Sequence, residues 1–258
     1  MNFLYPSDPL NPKKSDEMYA EEYSLAKSSG HQCYLFNTDD IDAGSFCSFP
    51  KLNEENALIY RGWMLTPEQY KKLEQLIINS DASLITTSEQ YKHCHYLPEW
   101  YQDFQELTPK TVFAKKDSDF DLLVKQLGWK QYFIKDYVKS LTISRGSIAK
   151  DALEIREIIL LLEKYRGNID GGICLREFEN LDTDSEERYF VYKDKIYSRN
   201  DKIPKIVNQI TTKIKSPFYS IDIVNNTNGE ARLMELGDGQ VSDIKKWNVN
   251  KFMNIFSS

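Results

Sequence analysis

The sequence predicts an α/β amino-terminal half followed by an α+β carboxy-terminal half whose strands pair antiparallel. Three observations predict it. Strand-like and helix-like stretches alternate through the first hundred or so residues, as in a layered α/β unit. Beyond Pro109 the order changes, and strands follow one another across turns such as Lys193–Lys195 and Asn228-Gly229. Between those regions one long stretch from Asp151 to Gly167 keeps helical spacing.

Taken in order, Asn2 to Tyr5 is a short apolar strand, followed by a loop with Pro6, Pro9 and Pro12. A helix from Ser15 to Ser28 offers Met18, Tyr19, Tyr23 and Ala26 for one face and stops at Gly30. His31 to Phe36 and Ala57 to Tyr60 read as strands. Thr66-Pro67-Glu68-Gln69 supplies an N-cap, a proline in the first turn and a glutamine to close a capping box, so a helix continues through Tyr70, Leu73, Leu76 and Ile77. Tyr132 to Ile143 is rich in aromatic and β-branched residues and reads as one or two strands. Ile155, Ile158, Ile159, Leu162 and Tyr165 form the apolar stripe of the long helix. Strands follow at Gly172–Phe178, Glu187–Tyr192 and Ile196–Ser198, then a helix from Pro204 to Ile214, and two last strands at Phe218–Val224 and Ala231–Leu236.

Composition narrows the function. The chain has 258 residues, 41% hydrophobic and 28% charged, which suits a globular protein of one large or two smaller units; two units, 1–108 and 109–258, are expected. A net charge of −6 lacks the basic excess that phosphate-backbone binding uses, which disfavours nucleic acid as the main partner. No run approaches a membrane span, and the opening MNFLYPSDPLNPKK has no apolar stretch of signal-peptide length, so a cytoplasmic location is expected. Cys33, Cys47, Cys94 and Cys174 lack C-x-x-C spacing and are expected to be reduced thiols. The P-loop, the dinucleotide fingerprint, the nucleophile elbow and the zincin motif are all missing, so any nucleotide is held by other means.

The remaining candidates are charged residues on strands. On a strand, His93 and His95 of His93-Cys94-His95 would share a face and could share an ion, although no further ligand is in sight and a polar or substrate-facing role for His95 stands ahead of it. Lys135 lies in the apolar run Tyr132–Ser140; it is either an edge-strand lysine that deters aggregation or an ammonium aimed at a phosphate, with Lys139 as a second candidate. Arg176-Glu177 and Glu187-Arg188 sit on neighbouring strands and are either weak surface ion pairs or parts of a site. Arg61, at the end of an apolar strand beside Gly-Trp-Met, should have an anionic partner and face a cleft. If Asn228-Gly229 makes a two-residue type I′ turn, Thr227 faces Glu230 and Asp222 lies across from Glu235. Their Cβ atoms would then be about 4.5–5.5 Å apart, a repulsive pair unless a cation joins them. With Asp238 nearby, that oxygen-rich strand pair suits Mg²⁺; a register one step out or a solvated acidic face is the competing reading.

A strand lysine for phosphate, a strand-end acid at a hinge and two acids on adjacent antiparallel strands is similar to the layout of an ATP-grasp enzyme. The wording resembles one clade of that superfamily more closely, the one named for two arginines and a lysine. The likeness is carried by YPSDPLNP near the start, YRGWML, YLPEWY, TPKTV, IKDYVKS, LREF, EERYFV, SIDIV and MELGDGQVS, in order along nearly the whole chain. It implies an α/β pre-ATP-grasp domain and an α+β ATP-grasp domain whose two lobes clamp the nucleotide. By that resemblance Lys135 would meet the α/β-phosphates, Glu177 and Phe178 would form the hinge lining the adenine, and Arg188 would contact a phosphate or acyl phosphate. Arg176 and Glu187 join the nucleotide set, and Arg61 and Lys139 join Arg188 in catalysis. Asp222 and Glu235 would match the magnesium acids, with Asp238 where the better-known ligases carry Asn. The implied activity is ATP-dependent ligation of a carboxylate to an amine or thiol through an acyl phosphate, yielding ADP and phosphate. Its partners would be Mg²⁺, ATP and a carboxylate plus an acceptor that is a small molecule, a peptide or a protein. A catalytically silent ATP-binding regulatory protein and a kinase-like phosphoryl transferase are the alternatives.

Overall fold

Phe3 to Ser7 are buried without interruption, which a strand can sustain only when both faces of its sheet are covered. The computed structural model describes residues 1–52 and 57–257 and places this strand, β1 (Asn2–Asp8), inside a mostly parallel sheet. A proline- and lysine-bearing β2 (Asn11–Ser15) folds back on it before α1 (Ala20–Ser28) crosses to β3 (Gln32–Phe36). Then come β4 (Ser48–Phe49), β5 (Ala57–Tyr60), α2 (Pro67–Ile78) and β6 (Ser83–Leu84), giving the order β4-β3-β1-β5-β6. Period-two alternation splits the strand side chains cleanly. Phe3, Tyr5, Cys33, Leu35 and Ile59 join one core with Ala26 of α1, and Leu4, Tyr34, Phe36, Leu58 and Tyr60 join another with Tyr70, Leu73 and Ile77 of α2. The capping box at Thr66 forms as expected, with Pro67 in the first turn.

The helix α3 (Ser88–His95) carries His93 and His95, which could share an ion only on a strand. Thr87 and Gln90 make a reciprocal cap, Gln90 N–H to Thr87 Oγ1 at 3.2 Å and Thr87 N–H to Gln90 Oε1 at 2.9 Å, a T-x-x-Q signature that starts helices. On a helix, residues two apart point about 200° away from each other, so the two imidazoles do not share a face.

After α4 (Leu97–Phe104) a second sheet is antiparallel throughout: β7 (Thr111–Ala114), β8 (Tyr132–Asp136), β9 (Ile148–Ala149) and β10 (Ile173–Glu177) lie in the order β7-β10-β8-β9. Between them run α5 (Phe120–Leu127) and α6 (Ala152–Arg166). The stripe Ile155, Ile158, Ile159 and Leu162 packs with Tyr132, Ile134, Ile173 and Leu175, so both helices cover one face of this sheet and leave the other for the site. Asp151 caps α6 and Gly167 ends it in the left-handed conformation at φ +82°, both as the sequence predicts.

The third sheet, in the order β12-β11-β13-β14, contains β11 (Leu181–Tyr192), β12 (Lys195–Tyr197), β13 (Phe218–Asn226) and β14 (Ala231–Asp238), with α7 (Lys205–Thr211) before β13 and α8 (Val249–Met253) near the end. The chain forms two compact units, one of 1–94, 188–221 and 237–258, the other of 95–187 and 222–236. The expected boundary at residue 108 lies inside the second of these units, and β11, β13 and β14 each start in one unit and end in the other. No helix among the described residues is long and apolar enough to cross a membrane.

The turn between β13 and β14 also differs from expectation. Gly229 N–H donates to Asn226 O at 2.9 Å and Asn226 N–H to Glu230 O at 2.8 Å, so Asn226, rather than Thr227, is paired with Glu230. A type I′ turn needs positive φ at two successive residues, whereas here only Gly229 has it, at +83°. The Asn226 side chain accounts for the change: its Oδ1 accepts the N–H groups of Asn228 and Glu230, the local bond that asparagine makes in turns. The two-residue turn that set Asp222 across from Glu235 does not form.

Replacing Asp151 with Ala removes the cap that accepts Glu154 N–H at 2.9 Å and should lower the unfolding free energy by about 1 kcal/mol. Urea titration followed by circular dichroism measures it, and an unchanged midpoint would mean that water replaces the cap at no cost.

Candidate functional site

The face of the second sheet opposite α5 and α6 is where its charged residues gather. The register sets Lys135 beside Cys174, Arg176 beside Phe133 on one side and Thr111 on the other, and Phe113 beside Cys174, so all six side chains emerge on the side opposite the α5 and α6 core. β8 lies between β10 and β9, and Lys135 is 5% exposed; it is not an edge lysine. Its Nζ reaches Glu235 Oε1 of β14 at 2.8 Å. Arg176, 2% exposed, donates from Nη2 to Thr108 Oγ1 at 2.6 Å and from Nη1 to Met234 O at 3.2 Å, while its Nε–H meets no acceptor among the described residues. Burial lowers its pKa, against the opposing charges of Glu235 and Glu179. Thr108 in turn donates to Leu233 O at 2.7 Å, so the segment before β7 fastens β14 against the arginine.

Glycines and aromatic rings shape the end of this face. A Cβ on Gly171 would lie 2.2 Å from the Tyr137 ring and one on Gly172 2.7 Å from its hydroxyl, and Gly171 has φ +74°. Tyr137 packs edge-on against Phe113 and Tyr96. Asp136, fully buried, pairs with Arg166 and accepts the N–H groups of Val138 and Lys139. That turn leaves the Lys139 side chain exposed. At the far end of β10, Glu177 pairs with Lys110 at 3.2 Å. The N–H groups of Glu177 and Phe178 go to Lys110 O and Gln131 O.

The unit containing β1 holds the other charged candidates. Arg61 is 2% exposed, and its anion is Glu22, bound at 2.7 and 2.8 Å through Nε and Nη2. Its Nη1 donates to the carbonyls of Gly239, Gln240 and Ser242, and the guanidinium lies 4.7 Å over the Phe252 ring. Burial works against its charge, but Glu22 outweighs it and raises the pKa. The expectation of an anionic partner is met by a carboxylate of the chain itself, and the expected cleft position is not: the guanidinium is enclosed and fastens the 239–242 turn. Arg188, 9% exposed, donates to Asp243 O at 2.8 Å and Oδ1 at 3.1 Å; Glu187, next to it in the chain, is half-buried. Arg176, Glu177 and Arg188 thus have partners at Thr108 and Met234, at Lys110 and at Asp243.

The three expected metal acids do not make a metal-holding group. Among the described residues no three His, Cys, Asp or Glu side chains form one. Asp222 is buried and Glu235 half-exposed. Asp238 has no exposed surface, and its Oδ1 accepts both the N–H and the Nε2 of Gln240 at 3.0 and 3.1 Å. Gln240 continues to Tyr70 Oη at 2.7 Å and takes Tyr60 N–H on its Oε1. Asp238 Oδ2 has no partner among the described residues, and burial raises the pKa to about 7 against the opposing bonds from Gln240. Thr108, Glu22 and Gln240 are not singled out in the sequence, since a lone polar residue announces its partner only once the fold brings them together.

Residues 97–256 match the family model of the ATP-grasp domain, family 3 of the clade named for two arginines and a lysine. Among solved structures, the ATP-grasp ligase PsnB complexed with a phosphomimetic variant of its minimal precursor, Mg and ADP superposes with a TM-score of 0.63 at 10% identity, covering 99% of this chain and 96% of that one. The macrocyclase MdnC of Microcystis aeruginosa MRC, bound with precursor peptide MdnA, gives 0.61 at 12% identity and covers 100% of both chains. The D-alanine-D-alanine ligase of Coxiella burnetii gives 0.61 at 9%, covering 95% and 87%. Comparison with curated protein sequences gives no match.

The Asp238 carboxyl yields a pH prediction. An unfolded aspartate ionises at about pH 3.9, so between that value and about 7 the folded chain keeps a proton that the unfolded chain has lost. The stability this contributes is complete below the lower value and is lost as pH rises through the upper one. Asp238→Asn should therefore lose less stability than the parent across that interval and be the more stable of the two above it, as read by urea unfolding at several pH values. Parallel curves would show that Asp238 is ionised in the folded chain.

Proposed function

Since the chain belongs to the ATP-grasp domain family, in the third family of the clade named for two arginines and a lysine, we propose that it is an ATP-dependent ligase that joins a carboxylate to an amine or thiol. The observation that supports this most is the pair of buried cations on one sheet face: Lys135, with a half-exposed carboxylate as counter-ion, and Arg176, bonded to neutral acceptors and with one N–H unused among the described residues. Two cations buried beside one directly bonded carboxylate are costly, and a polyphosphate arriving on that face compensates both charges.

In this reading Lys135 and Arg176 hold the phosphates, and Glu177 and Phe178 border the adenine. With their N–H groups already bonded, they offer carbonyl oxygens and a ring. Glu187 stays with this nucleotide set, and the exposed Lys139 is the side chain proposed for the transferred phosphate. Arg61 holds the 239–242 turn of its own unit. The carboxylate oxygen attacks the γ-phosphorus, ADP leaves, and the acyl phosphate is captured by the amine with loss of phosphate. The cations neutralise charge that develops along the phosphates, and a closed site keeps water from the acyl phosphate.

The oxygen donors Asp222 and Glu235 suit a hard cation, and a set this small fits Mg²⁺, which binds through one or two carboxylates and completes its shell with substrate phosphates and water. Bound there, the ion would supply charge neutralisation for the phosphates. Asp238, enclosed and engaged with Gln240, is left out of that set. The acceptor class stays broad: PsnB and MdnC were seen with precursor peptides, and a peptide or protein carboxylate is the first substrate to test here.

Arg176→Met keeps an apolar stem and should weaken binding of a non-hydrolysable ATP analogue about tenfold to a hundredfold, the worth of a hydrogen bond to a charged group, without loss of fold. Calorimetry measures it. ADP release from Mg-ATP that needs both a carboxylate and an amine, drawn from a peptide and metabolite library, would support the ligase. Nucleotide binding with no turnover on any member would make the chain a binding module instead.

A further inference from the structure

The Lys135–Glu235 contact joins two residues that the proposed reaction uses apart. Lys135 Nζ lies 2.8 Å from Glu235 Oε1, with the lysine side chain 6% exposed and the glutamate 41%. The lysine is thus held in the sheet, and the carboxylate is the member that solvent and ions can reach. We infer that this pair is an internal counter-ion lock that makes metal and nucleotide binding mutually dependent. The inference rests on reading this face as a Mg-nucleotide site.

The argument is one of competition for charge. With Lys135 in contact, Glu235 meets a divalent cation as a carboxylate already neutralised, so metal alone binds weakly. Likewise a phosphate group meets an ammonium already paired, so metal-free nucleotide binds weakly. A metal–nucleotide complex satisfies both partners at once: phosphate takes the lysine and the ion takes the carboxylate. Any coupling of this kind is reciprocal by linkage, so each ligand must raise the affinity of the other by the same factor. Arg176 fits this division of roles, because its hydrogen bonds go to a hydroxyl and a carbonyl rather than to a carboxylate, so no bonded ion pair has to open first. It attracts phosphate in either state, whereas Lys135 answers only when the pair opens.

Direct contact between metal and phosphate would also couple the two ligands, so the test removes one member of the pair at a time and uses one ligand at a time. Mn²⁺, which accepts the same oxygen donors, is titrated without nucleotide by electron paramagnetic resonance. A non-hydrolysable ATP analogue is titrated in EDTA by calorimetry. Lys135→Met should bind Mn²⁺ alone about tenfold tighter than the parent, and Glu235→Gln should bind the metal-free analogue tighter by a similar factor, about 1.4 kcal/mol in each case. Lys110→Met, which removes a cation paired with Glu177 instead, should change neither. The two variants are reciprocal, so if one does not fold the other decides. If the folded variants bind their single ligands no better than the parent while the parent binds the analogue with Mn²⁺, the lock is overturned and the nucleotide site stands. If the parent binds no analogue even with Mn²⁺, the nucleotide reading fails and the lock with it.

Discussion

A lysine ammonium buried in the middle of a sheet needs a negative partner, and in this chain the partner is Glu235 at 2.8 Å. Much of the second unit is arranged around that requirement. β8 is a central strand, so Lys135 projects from a fixed backbone, and the β14 strand that carries Glu235 is fastened to the same face by Thr108, in the segment before β7, and by Arg176 of β10. A buried ion pair is weak evidence of stability, since removing two charges from water costs about as much as their attraction returns. It sits beside a second buried cation whose Nε–H meets no acceptor among the described residues, and the proposed polyphosphate gives both cations a use other than stability.

The first unit shows the contrasting use of a buried arginine. Arg61 has two bonds to Glu22, three to backbone carbonyls and an aromatic ring beneath it. With its donors taken up it has little to offer a substrate, and what it fixes is the turn after β14. Arg61 and Arg176 are equally buried, yet only the Nε–H of Arg176 meets no acceptor among the described residues. Comparing donors with acceptors separates a structural guanidinium from a binding one more sharply than burial does.

Local rules account for what the sequence revealed. The Thr66 capping box, the Asp151 cap and Gly167 stop of α6, and the apolar runs of β1 and β10 depend on neighbours along the chain, and all were legible. The Thr87–Gln90 cap was equally local but was obscured by the metal-like look of His93-Cys94-His95. The turn at Asn228-Gly229 was misread for the same reason: the dipeptide suggests type I′, and the competing bond came from Asn226, just before it. Lys135 and Arg176 could be picked out as charges in apolar strands, whereas their partners Glu235, Thr108 and Met234 lie 58 to 100 residues away and no spacing rule links them. The division into units was hidden because three strands cross it.

The central claim is that the face bearing Lys135 and Arg176 receives the phosphates of Mg-ATP. A crystal structure of the chain with Mg²⁺ and a non-hydrolysable ATP analogue tests it most directly. The account predicts phosphate oxygens within hydrogen-bond reach of Lys135 Nζ and Arg176 Nε, and Glu235 turned from the lysine to the metal. Nucleotide bound elsewhere, with the 2.8 Å contact between Lys135 and Glu235 intact, would contradict it.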